Sequence, residues 1–327
     1  MKLGTLKNSK SRDGELVVIS QNNQKAVKVP EIALSLREAI ENSKETFPKL
    51  KSIYEKINRG TIEGFAVHET KFHSPLPRAF QWADGSAFLE HVRLVRKARN
   101  ADMPPKLLTV PLMYQGGSDD FLSPNEDIPQ IDSAHGTDFE GEVGVVTDFV
   151  PMGISPEKAL EKILLLVLIN DVSLRGLIPA ELEMGFGFFQ SKPSSAFAPF
   201  AITPDELGKN WRDGRVHLPL LVDYNDKFFG KPNAGAMHFH FGQLIAHAAA
   251  TRNLGAGTII GSGTVSNEDV SAGACCIQEL RMREKINSGE FKTPFMKVGD
   301  TVTIKMMNEN GENLFGTIHQ RVSKASL

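Results

Sequence analysis

The chain has 327 residues, 41% of them hydrophobic and 23% charged, so it can bury a large core without disulfides to hold it together. Its 37 basic and 39 acidic residues give a formal charge of −2, which excludes a protein that binds nucleic acid through a globally basic surface. The two cysteines, Cys275 and Cys276, are adjacent and therefore cannot supply the spaced sulfurs of a disulfide framework or a zinc site.

The sequence predicts neither a targeting segment nor a membrane span. Its first residues lack the apolar stretch of a signal peptide. The longest apolar run, Ile163 to Ile169, has seven residues, whereas a bilayer requires about 20. We therefore expect a cytoplasmic protein with neither a membrane nor a nucleic-acid partner.

Residues 1–73 are predicted to form a small mixed α/β domain. Two β-rich stretches, Leu16–Ile19 and Ala26–Val29, are separated by a polar turn. A helical region follows, in which apolar side chains recur at spacings of three and four residues, at Leu50, Ile53, Tyr54 and Ile57. The Pro-containing segment 74–77 then leads into a second predicted domain, residues 74–327.

The second domain is predicted to be rich in strands and to contain few helices, so the expected fold class is α+β with a β-dominated mixed sheet. Helices are expected over about 86–99, 156–165 and 242–253, with Ser155 as the N-cap of the second. Strands are expected at about 139–146, 167–171, 218–223, 258–261 and 301–306. Asn310-Gly311 predicts a hairpin turn before a last strand at about 314–319.

The first chemical signal is the pair Glu140 and Glu142, separated by one glycine. Side chains two positions apart in a strand point to the same face about 7 Å apart, so the two carboxylates would lie side by side. Their charges repel unless a hard cation lies between them. A solvent-facing strand with alternating polar residues explains the same pattern without any function.

Two aspartates could complete an oxygen site. The apolar strand that ends in Asn170 and Asp171 would be buried, so its terminal polar groups need partners. Asp84 lies just before the predicted helix that carries His91. Asp171 could instead cap a helix, and Asp84 could be an ordinary aspartate at a helix N-terminus. Four carboxylates without a Cys or His ligand pattern favour Mg²⁺, Ca²⁺ or Mn²⁺ over zinc.

The order of these motifs resembles that of the fumarylacetoacetate hydrolase family. Asp84 is followed after seven residues by His91, and the resemblance continues through segments 138–142, 170–175, 190–193, 261–265 and 278–280. It covers about residues 75–320, and the first 70 or so residues resemble the N-terminal domain of short bacterial members. The resemblance implies a catalytic domain built as a β-roll or sandwich, and a homodimer.

The resemblance also implies a role for each matching residue. The positions that match the metal ligands are Asp84, Glu140, Glu142 and Asp171. His91 matches the catalytic histidine and Glu279 the glutamate that orients it. Arg175 and Lys192 match the cations that stabilise a developing oxyanion.

Positions that would contact the substrate match less completely. Tyr114 and Thr264 match substrate-contacting residues, and a substrate-binding arginine corresponds to Arg99, one position out of register. Ser86 and Ile178 stand where mammalian-type members have a tyrosine and a glutamine. These departures leave the metal and catalytic sets intact, and they leave open what lies at the distal end of the substrate.

The resemblance implies a hydrolase that cleaves a carbon–carbon bond of a β-diketo acid, foremost fumarylacetoacetate, giving fumarate and acetoacetate in tyrosine catabolism. In that reaction a divalent cation would stabilise an enolate, and His91 would deprotonate the attacking water. Acylpyruvate hydrolases, 2-oxo acid hydratases and decarboxylases share the family, and the presence of both His91 and Glu279 favours hydrolysis. A non-catalytic scaffold whose carboxylates hold a structural Ca²⁺ is the alternative from another class.

Overall fold

The structure, a computed structural model, describes residues 1–97 and 102–325. Two β-sheets form its frame, one of eleven strands and one of five. The N-terminal elements are β1 (Lys2–Leu6), β2 (Glu15–Ile19), β3 (Lys25–Lys28), α1 (Leu36–Glu41), α2 (Ser43–Asn58) and β4 (Phe65–Ala66). Next come β5 (Trp82–Gly85), α3 (Leu89–Lys97), β6 (Met113–Gly116), β7 (Ile128–Gln130), β8 (Thr137–Asp138), β9 (Gly141–Thr147), α4 (Pro156–Leu160) and β10 (Ile163–Asn170).

The remaining elements complete both sheets. They are β11 (Ser173–Leu174), α5 (Ile178–Glu183), β12 (Ala196–Phe197), β13 (Phe200–Ile202), β14 (Trp211–Arg212), β15 (Arg215–Val216), β16 (Leu221–Tyr224), β17 (Lys227–Gly230), α6 (Phe241–Ala248), β18 (Ile259–Gly261), α7 (Ile277–Ser288), β19 (Thr301–Lys305) and β20 (Ile318–Lys324). The large sheet runs in the order β4-β3-β2-β1-β13-β10-β9-β18-β5-β6, with β12 also paired to β10, and the small sheet runs β17-β16-β19-β20-β7. The mixed-sheet α+β class predicted from the sequence is thereby confirmed.

The N-terminal strands form one arm of the large sheet. β1 pairs with β2 on one side and with β13 on the other, where Lys2 lies opposite Ile202. The backbone hydrogen bonds of the sheet therefore continue from the N-terminal segment into the rest of the chain.

The central strand β10 separates two hydrophobic cores. Leu166 and Leu168 point into one core, which also holds the buried residues of α6 and of the small sheet. Leu165 and Val167 point into the other core, which holds the apolar faces of α1 and α2. Because alternate side chains of a strand face opposite sides, a strand buried on both sides is continuously apolar. The run from Ile163 to Ile169 has this pattern.

Several predicted boundaries were wrong. The helix that Ser155 caps ends at Leu160, because the apolar residues that follow belong to β10. The helix predicted over 242–253 is α6, which ends at Ala248. The hairpin turn near Gly311 is present, but the strand that follows begins only at Ile318. Among the described residues, every helix is too short or too polar to cross a bilayer.

Adjacent strands bring the acidic residues together. In the order β10-β9-β18-β5, Glu142 of β9 lies opposite Ile169, two residues before Asp171. Gly261 of β18 pairs with Asp84 of β5 and, on its other side, with Gly144. Asp84 and Glu142 thus lie on strands separated only by β18, and Asp171 directly follows β10, the other neighbour of β9.

Candidate metal centre and active site

Three buried carboxylates form the centre of the site. Oxygens of Asp84, Glu142 and Asp171 all lie within 4.8 Å of one another. Asp84 Oδ1 accepts a hydrogen bond from the backbone N–H of Gly263 at 2.9 Å. Neither oxygen of Glu142, a fully buried side chain, has a hydrogen-bond partner among the described residues. A buried carboxyl without donors, such as that of Glu142, is either protonated or lies next to a positive charge.

The electrostatics of these groups favour a cation. Burial, with the nearby charge of Asp171, raises the pKa of Asp84 to about 8. Burial and the charge of Asp84 likewise raise the pKa of Glu142 well above its usual range. A hard divalent cation would be held by oxygen ligands of this kind, and its charge would offset the repulsion between them. The donor set therefore fits Mg²⁺, Ca²⁺ or Mn²⁺.

Glu140 lies beside this cluster and is held by cations. Its Oε1 accepts hydrogen bonds from Arg175 at 2.7 Å and from Thr264 Oγ1 at 2.8 Å. Its Oε2 accepts one from Lys192 Nζ at 2.6 Å. Burial opposes ionisation, but Arg175 and Lys192 hold the pKa of Glu140 well below its usual range. Glu140 is therefore an ionised group that could share a cation with the three other carboxylates.

Lys192 connects the two sides of the cluster. Its Nζ also donates to Asp171 Oδ2 at 2.5 Å, and the Tyr114 hydroxyl donates to the same oxygen at 2.5 Å. The ammonium lies 5.0 Å from the centre of the Tyr114 ring. Ser195 Oγ donates to the other oxygen of Asp171 at 2.8 Å. These contacts hold Asp171 in place and direct Lys192 towards the acidic groups.

His91 and Glu279 face each other next to this cluster. Nδ1 of His91 lies 3.5 Å from Oε2 of Glu279, and neither atom has a nearer hydrogen-bond partner among the described residues. The other oxygen of Glu279 accepts from Arg283 at 2.6 Å. Catalytic hydrogen bonds are often long before substrate binds, so this separation suits a histidine base that a carboxylate orients. Glu279 lies in the first turn of α7, fully buried.

Asp138 is a site residue that the sequence analysis did not single out. Its oxygens accept from the backbone N–H groups of Ile277 at 2.8 Å and Gln278 at 3.0 Å, at the start of α7. Arg175 Nε donates to it at 2.9 Å. Asp138 therefore fixes the helix that carries Glu279 relative to the guanidinium that binds Glu140. Its position two residues before Glu140 was the available signal, since alternate residues share a face.

A cavity of about 390 Å³ brings these groups to a common space. Its lining includes the predicted residues Asp84, His91, Tyr114, Glu140, Glu142, Arg175, Lys192 and Thr264. Asp171 and Glu279 are not in the lining: Asp171 contacts Lys192 and Tyr114, and Glu279 faces His91. Arg99 lies outside the described residues. Arg283 and Ser195 were also missed, because only tertiary contacts connect them to the site.

A second group of ligand-type atoms adjoins the first. His91, Glu140 and Cys276 each offer one atom within 4.8 Å of the others. Burial, together with the charge of Asp138, raises the pKa of the Cys276 thiol well above its usual range. Its sulfur accepts a hydrogen bond from the backbone N–H of Glu279 at 3.3 Å, so it serves as the N-cap of α7. That contact gives Cys276 a structural role beside His91.

Comparison with known families covers nearly the whole chain. Residues 81–323 match the family described as Fumarylacetoacetate (FAA) hydrolase C-terminal. Residues 1–78 match Fumarylacetoacetase N-terminal domain 2. Both matches lie in the order that the sequence resemblance requires.

Similar proteins carry different activities. The 2,4-didehydro-3-deoxy-L-rhamnonate hydrolase of Sphingomonas sp. (strain SKA58) is 28% identical over 224 residues, which is 66% of each chain. The oxaloacetate tautomerase YisK of Bacillus subtilis (strain 168) is 25% identical over 227 residues, 68% of this chain and 70% of that one. The present chain thus spans about two thirds of the length of these curated relatives.

A solved structure shares the fold. Maleylpyruvate hydrolase from Sphingobium sp. SYK-6, in complex with manganese(II) ion and pyruvate, superposes with a TM-score of 0.65. The match covers 100% of both chains, at 13% sequence identity. At that identity the likeness shows a common fold, and the chemistry has to be argued from the residues described above.

Proposed function

Because the chain belongs to the fumarylacetoacetate hydrolase family, we propose that it is a metal-dependent enzyme that hydrolyses a carbon–carbon bond of a β-diketo acid. Hydrolases and a tautomerase are among its relatives, so the family alone leaves the reaction type open. One observation carries the choice of hydrolysis. A histidine paired with a buried carboxylate opens onto the same cavity as the acidic cluster.

The carboxylates of Asp84, Glu142 and Asp171, with Glu140 beside them, would hold the cation, Mg²⁺ or Mn²⁺ in the first instance. When bound, such an ion supplies Lewis-acid stabilisation of negative charge that develops on the substrate oxygens. The fit rests on the unpartnered oxygens of Glu142 and on the raised pKa of Asp84. A structural ion alone would satisfy those carboxylates equally well, so the catalytic claim depends on His91.

His91 would act as the general base. Its Nδ1 faces Glu279, which leaves the other ring nitrogen available to a water molecule in the cavity. That nitrogen would take a proton from the water as the oxygen attacks the carbonyl carbon, and Glu279 would stabilise the resulting imidazolium. Base catalysis of this kind contributes about 10²–10⁴-fold to the rate.

The two buried cations would stabilise the charge that the attack creates. Arg175 and Lys192 both line the cavity. Fixed donors directed at a developing oxyanion contribute about 3–4 kcal/mol each. The carbon–carbon bond then breaks, its electron pair becomes the enolate of the leaving ketone, and the imidazolium returns a proton to that carbon. One molecule of water is consumed, and a carboxylic acid and a ketone are released.

Within this class the resemblance favours fumarylacetoacetate, with fumarate and acetoacetate as products and a place in tyrosine catabolism. Tyr114 and Thr264 line the cavity as substrate-contacting residues would, although both hydroxyls also bind carboxylates, Asp171 and Glu140. The same resemblance supports a homodimer, whose mass light scattering on the purified protein would measure. It also supports a location in the cytoplasm.

The decisive experiment combines metal depletion with a variant. Protein stripped with chelator would be assayed on a panel of β-diketo and acylpyruvate acids before and after addition of Mg²⁺ or Mn²⁺. We expect turnover only with metal. His91→Ala should abolish turnover while metal affinity, measured by calorimetry, is retained. His68→Ala, an exposed histidine that does not line the cavity, is the matched control.

The outcomes separate three functions. Turnover by stripped protein, or by His91→Ala, would overturn the assigned mechanism. A cation that raises only the melting temperature, without turnover of any acid in the panel, would favour the non-catalytic scaffold. Isomerisation of a 2-oxo acid without cleavage would favour a tautomerase, the activity in the name of the Bacillus subtilis relative.

A further inference from the structure

A sulfur ligand lies next to the cavity that the carboxylates line. Cys276 Sγ, one ring nitrogen of His91 and one carboxylate oxygen of Glu140 all lie within 4.8 Å of one another. His91 and Glu140 line the cavity, so an ion that enters it reaches two of the three ligands directly. Thiolate, imidazole and carboxylate are the three kinds of ligand that zinc takes in proteins. This group therefore differs in chemistry from the all-carboxylate cluster beside it.

The spacing of the three atoms suits a small tetrahedral ion. Ligand atoms around tetrahedral zinc lie about 3.5 Å apart, because the bonds from the metal are about 2.0–2.3 Å long. The atoms would therefore have to approach one another by little more than about an ångström. Cys276 is the N-cap of α7, where its sulfur accepts from the backbone N–H of Glu279 at 3.3 Å. The start of the helix thus fixes the sulfur at this place.

A buried carboxylate oxygen without a donor adjoins the three ligands. Oε2 of Glu279, a fully buried side chain, has no hydrogen-bond partner among the described residues. It lies 3.5 Å from Nδ1 of His91, which has no partner in the same part of the chain either. A buried oxygen of this kind gains from a nearby positive charge. Glu279 is therefore an independent indication of a cation at His91.

Glu140 is the ligand that has to change its contacts. Its two oxygens accept hydrogen bonds from Arg175, Lys192, Thr264 Oγ1 and, at 3.1 Å, Ser173 Oγ. An ion can bind once one of the two hydroxyls turns away, and a hydroxyl rotates to suit its surroundings. The charge of Arg175 favours the thiolate form of Cys276, so it helps to offset the negative charge that the sulfur gains when it binds a metal.

We propose that Cys276, His91 and Glu140 form a second metal site, which binds Zn²⁺ and thereby inhibits the enzyme. The site itself rests on this geometry, whereas the inhibition rests on the proposed function. Neutral imidazole has one nitrogen that accepts a proton, and a metal bound there uses the same electron pair. His91 then no longer acts as a base, whichever ring nitrogen binds the ion. The thiol of Cys276 releases its proton to solvent as the ion binds.

The two sites would select different ions. Hard oxygen ligands suit Mg²⁺ and Mn²⁺, whereas a thiolate with an imidazole suits zinc and similar metals. The two adjacent cysteines lack the spacing of a zinc site of their own. The fold supplies the missing ligands to one of them, because α7 places Cys276 beside the histidine of α3.

Cobalt reports on the sulfur directly. Co²⁺ is bound by the same kinds of ligand as Zn²⁺, and a thiolate bound to it gives a charge-transfer band in the near ultraviolet. We expect this band when protein saturated with Mg²⁺ is titrated with Co²⁺. Because the chain contains only two cysteines, the band can come only from Cys275 or Cys276.

Three variants assign the band. Cys276→Ser should abolish it, and serine, a preferred N-cap residue, keeps the start of α7 capped. Cys275→Ala, the matched control, removes the neighbouring sulfur from the hydrophobic core and should keep the band. His91→Ala should raise the Co²⁺ concentration that gives half of the band by at least about tenfold, since even residues that only support metal ligands have effects of this size.

Zinc inhibition tests the consequence for activity. Turnover in saturating Mg²⁺ would be measured against rising Zn²⁺, with each protein compared with its own rate in the absence of zinc. We expect the half-inhibiting Zn²⁺ concentration of Cys276→Ser to exceed that of the wild type by at least about tenfold. Cys275→Ala should be inhibited as the wild type is, within about twofold.

The outcomes separate the site, the inhibition and the proposed function. Absence of the cobalt band in the wild type, or its persistence in Cys276→Ser, would overturn the metal site. Equal inhibition of the wild type and Cys276→Ser by zinc would overturn the inhibitory role and assign the effect to the carboxylate cluster. Absence of turnover with every acid of the panel would overturn the proposed function, and the cobalt band would still decide whether the site exists.

Discussion

Replacing Asp84 by asparagine should stabilise the metal-free protein. The gain in free energy of unfolding relative to wild type should grow as the pH rises. The carboxyl of Asp84 has a pKa of about 8 in the fold because of burial and the charge of Asp171, whereas in the unfolded chain it titrates near 3.9. The native state therefore binds this proton between those two values and the unfolded state does not. Since the unfolded state binds fewer protons, the free energy of unfolding falls as pH increases through this window.

The size of the effect follows from the two pKa values. Between pH 5 and pH 7 almost one proton is retained by the native state alone, which gives a slope of about 1.4 kcal/mol per pH unit. Wild type should accordingly lose about 3 kcal/mol relative to Asp84→Asn over those two units. Comparing the two proteins cancels the contributions of titrating groups that do not interact with Asp84; Glu142, whose pKa the charge of Asp84 helps to raise, is not among them.

Urea denaturation in the presence of chelator at pH 5, 6, 7 and 8 measures this difference. With saturating Mn²⁺ the order should reverse, because a ligand that binds only the native state stabilises it and the asparagine variant has lost a ligand. Glu69→Gln removes a half-buried carboxyl whose pKa is also raised but which does not line the cavity, and it should leave the response to Mn²⁺ unchanged. Parallel stability curves for wild type and Asp84→Asn in chelator would refute the electrostatic reasoning.

Two further substitutions test how the site is supported. Arg283→Met should lower kcat about tenfold with little change in KM or metal affinity, because Arg283 holds Glu279 in place. Arg283→Lys should restore part of the lost kcat. Equal kcat values for Arg283→Met and wild type would show that Arg283 has no part in the mechanism. Gly261→Ala should weaken Mn²⁺ binding, measured by calorimetry, by at least about tenfold, since a Cβ there would lie 2.4 Å from Asp84 Oδ1. Gly255→Ala, where a Cβ meets nothing within 4 Å, is its control, and equal Mn²⁺ affinities for the two would contradict the argument.

The acidic residues could be found from the sequence because their signals are local. Glu140 and Glu142 are two residues apart, and Asp171 directly follows an apolar strand. Pattern and order alone therefore pointed to an oxygen site, and the structure brings Glu142 and Asp171 to within a few ångströms. The continuous apolar run of β10 likewise predicted a buried strand.

The elements that the sequence analysis missed depend on distant partners. β5, which carries Asp84, is four residues long and is held by β6 and by β18, the latter about 175 residues away. The helix α7 was missed because its buried side includes the charged Glu279, so no apolar stripe marks it. The first N–H groups of this helix are satisfied by Asp138, far off in the chain, and its N-cap is Cys276, a residue type that is not typical of that position. Elements such as β5 and α7 can therefore be recognised only from the three-dimensional structure.

The arrangement of charge explains why Lys192 lies beside the carboxylates that would hold a cation. Four carboxylates surround the site, three of them in the lining of the cavity and Asp171 next to it, and only Lys192 and Arg175 line the cavity as cations among the described residues. If these six groups and Asp138, which Arg175 also binds, were all ionised, their charge would be −3, most of which a divalent cation would offset. Without that ion, Lys192 is drawn between Glu140 and Asp171, and Asp84 and Glu142 favour their protonated forms. Binding of the ion would satisfy the same oxygens and thereby free the ammonium to meet negative charge on a substrate.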